Sequence, residues 1–256
     1  MLAIIQKILG LRRPQLLAAG RTDTGRVREH NEDSFAILPE QGLFMVTDGM
    51  GGHNAGEVAS RMTIEALVEY FTPERLRQMQ GNPEETRHSL IQGVRHANQT
   101  VIADAGQNPD HRGMGCTLVL ARLDRNLLHI CHAGDARCYL DDGHELRQLT
   151  TDHAGVAFAP RLQEAGGSEK PARQRPVVTM AIGFPFRHDP EYHALSVTAG
   201  HRLLLCSDGL WSMLPDREIH AILQQAATPQ EACDRLISQA NQAGGRDNIT
   251  AVAIFL

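Results

Sequence analysis

The chain has 256 residues, enough for one large domain or two small ones, and 42% are hydrophobic, which supports a sizeable core. Only 4% are aromatic, so that core must rest on Leu, Ile, Val and Ala. A net charge of −5 leaves no basic surplus to make nucleic acid or an anionic membrane the main partner.

Met1 to Leu11 is apolar, is broken by Gln6 and Lys7, and is too short to span a bilayer. Arg12 and Arg13 follow the apolar run instead of preceding it, and no small-residue cleavage site comes after, so the pattern is not that of a secretory signal. Ile5, Ile8 and Leu9 can share one helical face. A short helix packed on the domain, a frayed end and a weak membrane or partner contact all fit. Residues 1–20 are therefore read as an amphipathic extension, and residues 21–256 as a single domain.

Arg21 to Asp33 reads as a polar loop turning at Gly25. Ser34 to Leu38 and Leu43 to Thr47 read as two strands joined through Pro39-Glu40-Gln41-Gly42. A hairpin there would bring Asp33 beside Asp48. Ala55 to Phe71 has a broad apolar helical face. A second helix opens at Asn82-Pro83-Glu84-Glu85, where Asn82 caps, Pro83 suits the first turn and Glu85 completes a capping box. Gly106 to Gly115 follows as a loop. Cys116 to Leu123, Leu127 to Ala133 and Arg137 to Leu140 then read as short strands, with Glu145 to Leu149 as another. Thr150 to Gln174 is poor in apolar residues and reads as a surface flap. Leu195 to Thr198 and Leu203 to Cys206 are strands around an Ala199-Gly200 turn. Pro215 to Ala227 and Thr228 to Ala243 are helices, and Ile249 to Leu256 closes the chain as a strand. Few strand–helix–strand units occur, so antiparallel sheets covered by helices, an α+β fold, fit better than a doubly wound one. The five cysteines (Cys116, Cys131, Cys138, Cys206 and Cys233) lie in apolar runs without a CxxC pair, which reads as reduced core thiols of a cytoplasmic protein.

Thr47 to Glu57, TDGMGGHNAGE, is the stretch most concerned with chemistry. A buried strand delivers Asp48 into Gly49, Gly51 and Gly52, where bare backbone lets a carbonyl approach an ion, and His53 leads into the helix. Five aspartates share this style, each at the edge of an apolar run: Asp33, Asp48, Asp135, Asp208 and Asp247. Any one alone fits an ordinary turn or cap aspartate. Were they to converge in a dry site, their charges would need compensation, and cations are the natural remedy. All-oxygen ligands select Mg²⁺ or Mn²⁺ over Zn²⁺. The thirteen histidines show neither HExxH nor HxH. Two hard cations sharing a carboxylate can hold a bridging hydroxide for in-line attack on phosphorus.

On these residues the chain resembles the metal-dependent protein serine/threonine phosphatases of type 2C, the PPM family, in compact bacterial form. Arg28 to Asp33 is similar to the family's RxxNED, Asp48 to His53 to DGMGGH, and Gly134-Asp135-Ala136-Arg137 to GDSR. Leu149 to His153 resembles LTxDH, and Ser207 to Trp211 and Gly245 to Thr250 resemble the last two motifs. The resemblance implies an αββα arrangement, an antiparallel β-sandwich flanked by pairs of helices. It implies that Asp48 bridges two metals, the Gly49 carbonyl binding one and Asp208 and Asp247 the other. Glu32 and Asp33 would act through metal-bound water, and Asp135 with Asp208 would form a looser third site. Arg28 would hold the phosphate with its planar fork. His53 is either the general acid for the leaving oxygen or a support of the glycine loop. Asn248 is assigned to substrate, or to orienting water or the Asp247 loop, and Trp211 to the core.

Three departures from the family pattern stand out: Met180 where many relatives carry arginine, a trimmed flap from Ala154 to Arg175, and Cys116 in place of a hydroxyl residue. The expected activity is hydrolysis of phosphoserine and phosphothreonine in proteins, opposing a bacterial kinase, by a monomer. A phosphoprotein-binding signalling module with little turnover is the alternative. A nucleotide phosphoesterase is disfavoured by the lack of a basic or base-stacking patch. A thiol mechanism lacks its phosphate cradle: Cys116 and Cys131 have an arginine six positions on, Arg122 and Arg137, but both lie in strand patterns.

Overall fold

The computed structural model describes residues 16–51, 55–158 and 174–256. In chain order the elements are β1 (Leu17–Asp23), β2 (Asp33–Leu38), β3 (Leu43–Met50), α1 (Ala55–Tyr70), α2 (Pro73–Met79), α3 (Pro83–Gln107), β4 (Gly115–Cys116), β5 (Leu118–Asp124) and β6 (Leu127–Ala133). There follow β7 (Arg137–Asp141), β8 (Leu146–Gln148), β9 (Ala154–Phe158), β10 (Gln174–Val178), β11 (Glu191–Ser196), β12 (Arg202–Cys206), α4 (Asp208–Trp211), α5 (Asp216–Gln225), α6 (Pro229–Gln242) and β13 (Ile249–Phe255).

Among the described residues two antiparallel sheets face each other. One has the order β1-β13-β12-β7-β8; the other runs β11-β6-β5-β3-β2, with β4 alongside β3. Strand alternation sets the layers. On β3, Phe44 and Val46 enter the cluster between the sheets, with Val119, Ile130, Leu140, Leu205 and Val252. Leu43 and Met45 point the other way, onto Leu67 of α1 and Leu90 and Val94 of α3. On β13, Val252 and Ile254 join the sandwich core, whereas Ile249, Ala251 and Ala253 meet Leu223 of α5 and Leu236 of α6. Each fully buried side chain of this kind contributes about 1.5–3 kcal/mol. The result is the expected four-layer αββα fold.

Side-chain caps open three of the six α-helices among the described residues. Asn82 Oδ1 accepts from the Glu85 amide at 3.2 Å, and Thr228 Oγ1 accepts from the Glu231 amide at 3.1 Å. Helix α2, capped by Thr72, is an element that the sequence reading passed over. So is most of β1, read as extension and loop: Leu17 to Asp23 pairs with Phe255 to Ile249, so the strand begins before the expected domain start at residue 21. The Ala199-Gly200 turn does not close a hairpin, because β11 pairs with β6 whereas β12 pairs with β13 and β7. The turn carries the chain from one sheet to the other. All five cysteines are free and buried. No helix among the described residues is long and apolar enough to cross a membrane. The expected N-terminal helix of residues 1–13 lies outside the described residues, as do residues 159–173 of the flap. The flap strands β9 and β10 pair with each other.

Candidate active site

The β2–β3 hairpin pairs Asp33 directly with Asp48, as its register requires. Asp208 follows β12 and opens α4, and Asp247 precedes β13, the strand beside β12. Asp135 occupies the β6–β7 turn. Carboxylates far apart in sequence thus gather at one end of the sandwich.

Their mutual influence shows in their protonation. Burial pushes the Asp33 carboxyl up to about 7, against the Thr250 and Ser207 hydrogen bonds and with help from the charges of Asp208 and Asp247. Asp48 is raised well above the usual carboxylate range by burial and then by Asp33, Asp208, Asp247 and Asp135. Burial, then Asp247 and Asp135, raise Asp208 to about 6, although a hydrogen bond with Asp48 opposes this. Asp135 and Glu32 are also raised, chiefly by burial. Carboxylates crowded in this way hold protons unless a cation replaces them.

One oxygen shows the need most directly. Asp33 is 6% exposed, and its Oδ2 accepts from Ser207 Oγ at 2.7 Å and Thr250 Oγ1 at 2.6 Å. Its Oδ1 is buried and has no partner among the described residues. A buried acceptor left so costs about 1–3 kcal/mol. The all-oxygen donor set and this orphan atom fit hard divalent cations.

Gly49 must be glycine. A Cβ there would lie 2.3 Å from the Gly56 carbonyl oxygen and 2.6 Å from that of Glu32, which already accepts from the Gly49 amide at 3.1 Å. The same holds at Gly209, where a Cβ would lie 2.0 Å from the Asn248 carbonyl oxygen. These contacts let the Asp48 and Asp208 segments close on their neighbours.

Arg28 stands at the rim with a half-exposed side chain. Its Nη2 donates to Asp247 Oδ2 at 2.6 Å, a bond that raises its already high pKa further. Of the roles expected of Asn248, its contacts suit the orienting of the loops around Asp247. It is 5% exposed; its Oδ1 accepts from the Glu32 amide at 2.8 Å, and its Nδ2 donates to the Thr24 and His30 carbonyls at 2.9 and 2.8 Å. With its amide engaged on three backbone groups, it ties the Arg28 loop to β13. His53 and Gly52 lie outside the described residues.

Trp211 packs against the core beneath α5 and α6, as expected of it, and also makes polar contacts. It is only partly buried; its Nε1 donates to the Asp135 carbonyl at 3.0 Å, and the Arg137 guanidinium lies 3.7 Å above its ring. Arg137 in turn forks onto Asp152 at 2.9 and 2.7 Å, so two of the motifs clamp each other. Thr117, Ser207 and Thr250 were not singled out. Thr117 Oγ1 accepts from the Asp48 amide at 3.2 Å. All three are hydroxyl residues in or beside apolar strand runs, a signal available in the sequence. Cys116 Sγ packs 3.1 Å from Thr63 Oγ1.

A family model described as Protein phosphatase 2C matches residues 20–249. The serine/threonine phosphatase stp of Listeria monocytogenes is 36% identical over 242 residues, covering 91% of this chain and 93% of that one. Protein phosphatase PhpP of Streptococcus pneumoniae is 32% identical, covering 92% and 95%. A solved catalytic domain of the serine/threonine phosphatase PstP, in complex with two manganese ions, superposes with a TM-score of 0.76 at 34% identity, covering 94% of this chain and 97% of that one. The chain belongs to the protein phosphatase 2C family. Within it, this is a protein serine/threonine phosphatase of PPM type, similar over most of its length to compact bacterial members.

Proposed function

We propose that this phosphatase hydrolyses phosphoserine and phosphothreonine in proteins with two divalent cations, Mn²⁺ or Mg²⁺, and that it opposes a serine/threonine kinase in the cytoplasm. The observation that carries the reading is the meeting of Asp33, Asp48, Asp208 and Asp247 with one buried carboxylate oxygen that has no donor among the described residues. The two manganese ions in the PstP catalytic domain support it. Buried free thiols suit a reducing compartment.

Asp48, the Gly49 carbonyl, Asp208 and Asp247 would hold the two ions, with Glu32 and Asp33 acting through water; Asp135 with Asp208 would hold a third. When bound, the cations supply charge neutralisation and an acidified water for attack on phosphorus. Asp33, fixed by its two hydroxyl donors, orients that side of the centre. Arg28 offers its remaining N–H groups to phosphate oxygens at the half-exposed rim. His53 would either deliver a proton to the leaving serine or threonine oxygen or support the glycine loop. Asn248 keeps the Arg28 loop in register with Asp247.

The test is phosphate release from a phosphothreonine peptide with Mn²⁺, with chelator, and with Asp48→Asn. Release should need the metal and vanish in the variant. Release that survives chelation contradicts the reading, and phosphopeptide binding without release points to the signalling module.

A further inference from the structure

Outside the acidic centre, three histidines surround one carboxylate. His132 on β6 is the register partner of Glu191 on β11, and His193 lies two residues further along that strand. His153 follows β8 and stacks on His132, with ring centres 4.7 Å apart and planes 8° from parallel. His153 Nε2 lies 3.4 Å from Glu191 Oε1, and His132 Nε2 lies 3.8 Å from Oε2. These separations exceed ordinary hydrogen bonds. They approach the roughly 3.3 Å between neighbouring ligand atoms when each bonds one tetrahedral ion at about 2.0–2.1 Å. One ligand atom from each of His132, His153 and Glu191 falls within 4.8 Å of the others. The side chains of His132 and His153 are 0% and 9% exposed, and His153 Nε2 and His132 Nδ1 are buried without a hydrogen-bond partner among the described residues.

We propose that His132, His153 and Glu191 form a second metal site, for a borderline ion of the Zn²⁺ class, whose filling is antagonistic to the present setting of the Asp135 turn. Two imidazoles and one carboxylate select such an ion, whereas the acidic centre selects hard ones. His193 Nε2, 3.5 Å from Glu191 Oε2, supports the carboxylate from outside.

The antagonism follows from the tautomers. The Gly134 amide donates to His153 Nδ1 at 3.0 Å, so the neutral ring carries its proton on Nε2, facing Glu191. His132 Nε2 likewise donates to the Thr151 carbonyl at 3.0 Å. An ion that takes both Nε2 atoms moves each proton to Nδ1. His153 Nδ1 then faces the Gly134 N–H as a second donor, and that hydrogen bond is lost. Gly134 immediately precedes Asp135. Linkage makes the effect reciprocal: ions at Asp135 and Zn²⁺ at the histidines weaken each other.

The antagonism rests on the proposed binding of an ion at Asp135, whereas the histidine site does not, so the site is tested first by binding. The full chain is saturated with Mg²⁺ and titrated with Zn²⁺ against a chromophoric chelator, and separately with Co²⁺. Wild type should take up a single Zn²⁺ per chain and give the intense visible bands of tetrahedral Co²⁺. Glu191→Ala and His132→Gln should weaken Zn²⁺ by about tenfold or more and lose those bands. Asp48→Asn should retain both. Glu191→Ala should keep Mg²⁺-dependent hydrolysis, which shows that it folds, and should lose the Zn²⁺-induced rise in the Mn²⁺ concentration needed for activity. Equal Zn²⁺ affinity in wild type and Glu191→Ala, or loss of the bound Zn²⁺ in Asp48→Asn, overturns the proposal.

Discussion

Asp33 and Asp247 belong to one group of carboxylates and are held in opposite ways. Asp33 is buried and takes two hydroxyl donors on Oδ2, with no partner for Oδ1 among the described residues. Asp247 has a side chain one-third exposed; Oδ2 takes the Arg28 guanidinium and Oδ1 takes the Asn248 amide at 2.8 Å. The floor of the site is buried and short of positive charge, whereas the rim supplies its own. Substitutions in the floor should therefore change ion binding and the pH dependence of folding. Substitutions at the rim should change substrate affinity and leave stability almost untouched.

The largest break comes at the point where floor and rim meet. Asp48→Asn should lower phosphate release on the order of a thousandfold or more, because on the proposed reading the cations would lose a charged ligand. The same substitution should stabilise the metal-free protein at pH 8, since a neutral amide replaces a carboxyl whose ionised form is opposed by burial and by four other aspartates. Thermal denaturation with and without Mn²⁺ separates the two effects.

Next in size is the pH response of the metal-free chain. Asp33 and Asp208 titrate near 7 and 6 when folded, above the ordinary value of 3.8. Their protonated forms favour the folded state. That contribution is whole below about pH 4 and is lost as pH rises through 6 and 7, a change on the order of a few kcal/mol. Melting temperature should fall between pH 5 and 8 without metal, and Mn²⁺ should reverse the fall. A flat profile would mean that the floor carries no excess charge.

At the rim, Arg28→Ala should raise KM for a phosphopeptide by about tenfold, the loss expected for a charged hydrogen bond to phosphate. Its effect on stability should stay within about 0.5 kcal/mol, because the ion pair is exposed on both sides. A stability loss larger than its effect on KM would place Arg28 in the scaffold and erase the distinction.

The sequence showed the site more readily than it showed what holds the site. Asp33 opposite Asp48 could be predicted because the length of a hairpin fixes its register. The sandwich could be inferred because period-two patterns alternated with helical ones. The Asn248 tether could not, because its partners, the Thr24, His30 and Glu32 backbone groups, are more than 200 residues away along the chain. Most of β1 escaped notice because Gly20, Arg21 and Thr22 carry no apolar alternation; pairing with β13 makes this segment a strand. The histidine cluster was hidden for a similar reason. Pairing β6 with β11 puts Glu191 opposite His132, and no spacing along the chain announces it.

The smallest expected effect probes the floor most finely. Thr250 Oγ1 donates to Asp33 Oδ2 and lies 2.7 Å from Thr22 Oγ1, a position Val can fill without the hydroxyl. Thr250→Val removes one of the two donors that favour the ionised Asp33, so its pKa should move further up. Ions must then displace a more firmly held proton. At neutral pH the affinity for Mn²⁺ should fall by roughly fivefold, equivalent to the loss of about 1 kcal/mol from one hydrogen bond. The deficit should close as pH rises above the Asp33 titration, because the proton is then gone in either protein. If the deficit persists unchanged at pH 9, Thr250 acts by packing, and the support of the ionised Asp33 has to be credited to Ser207 alone.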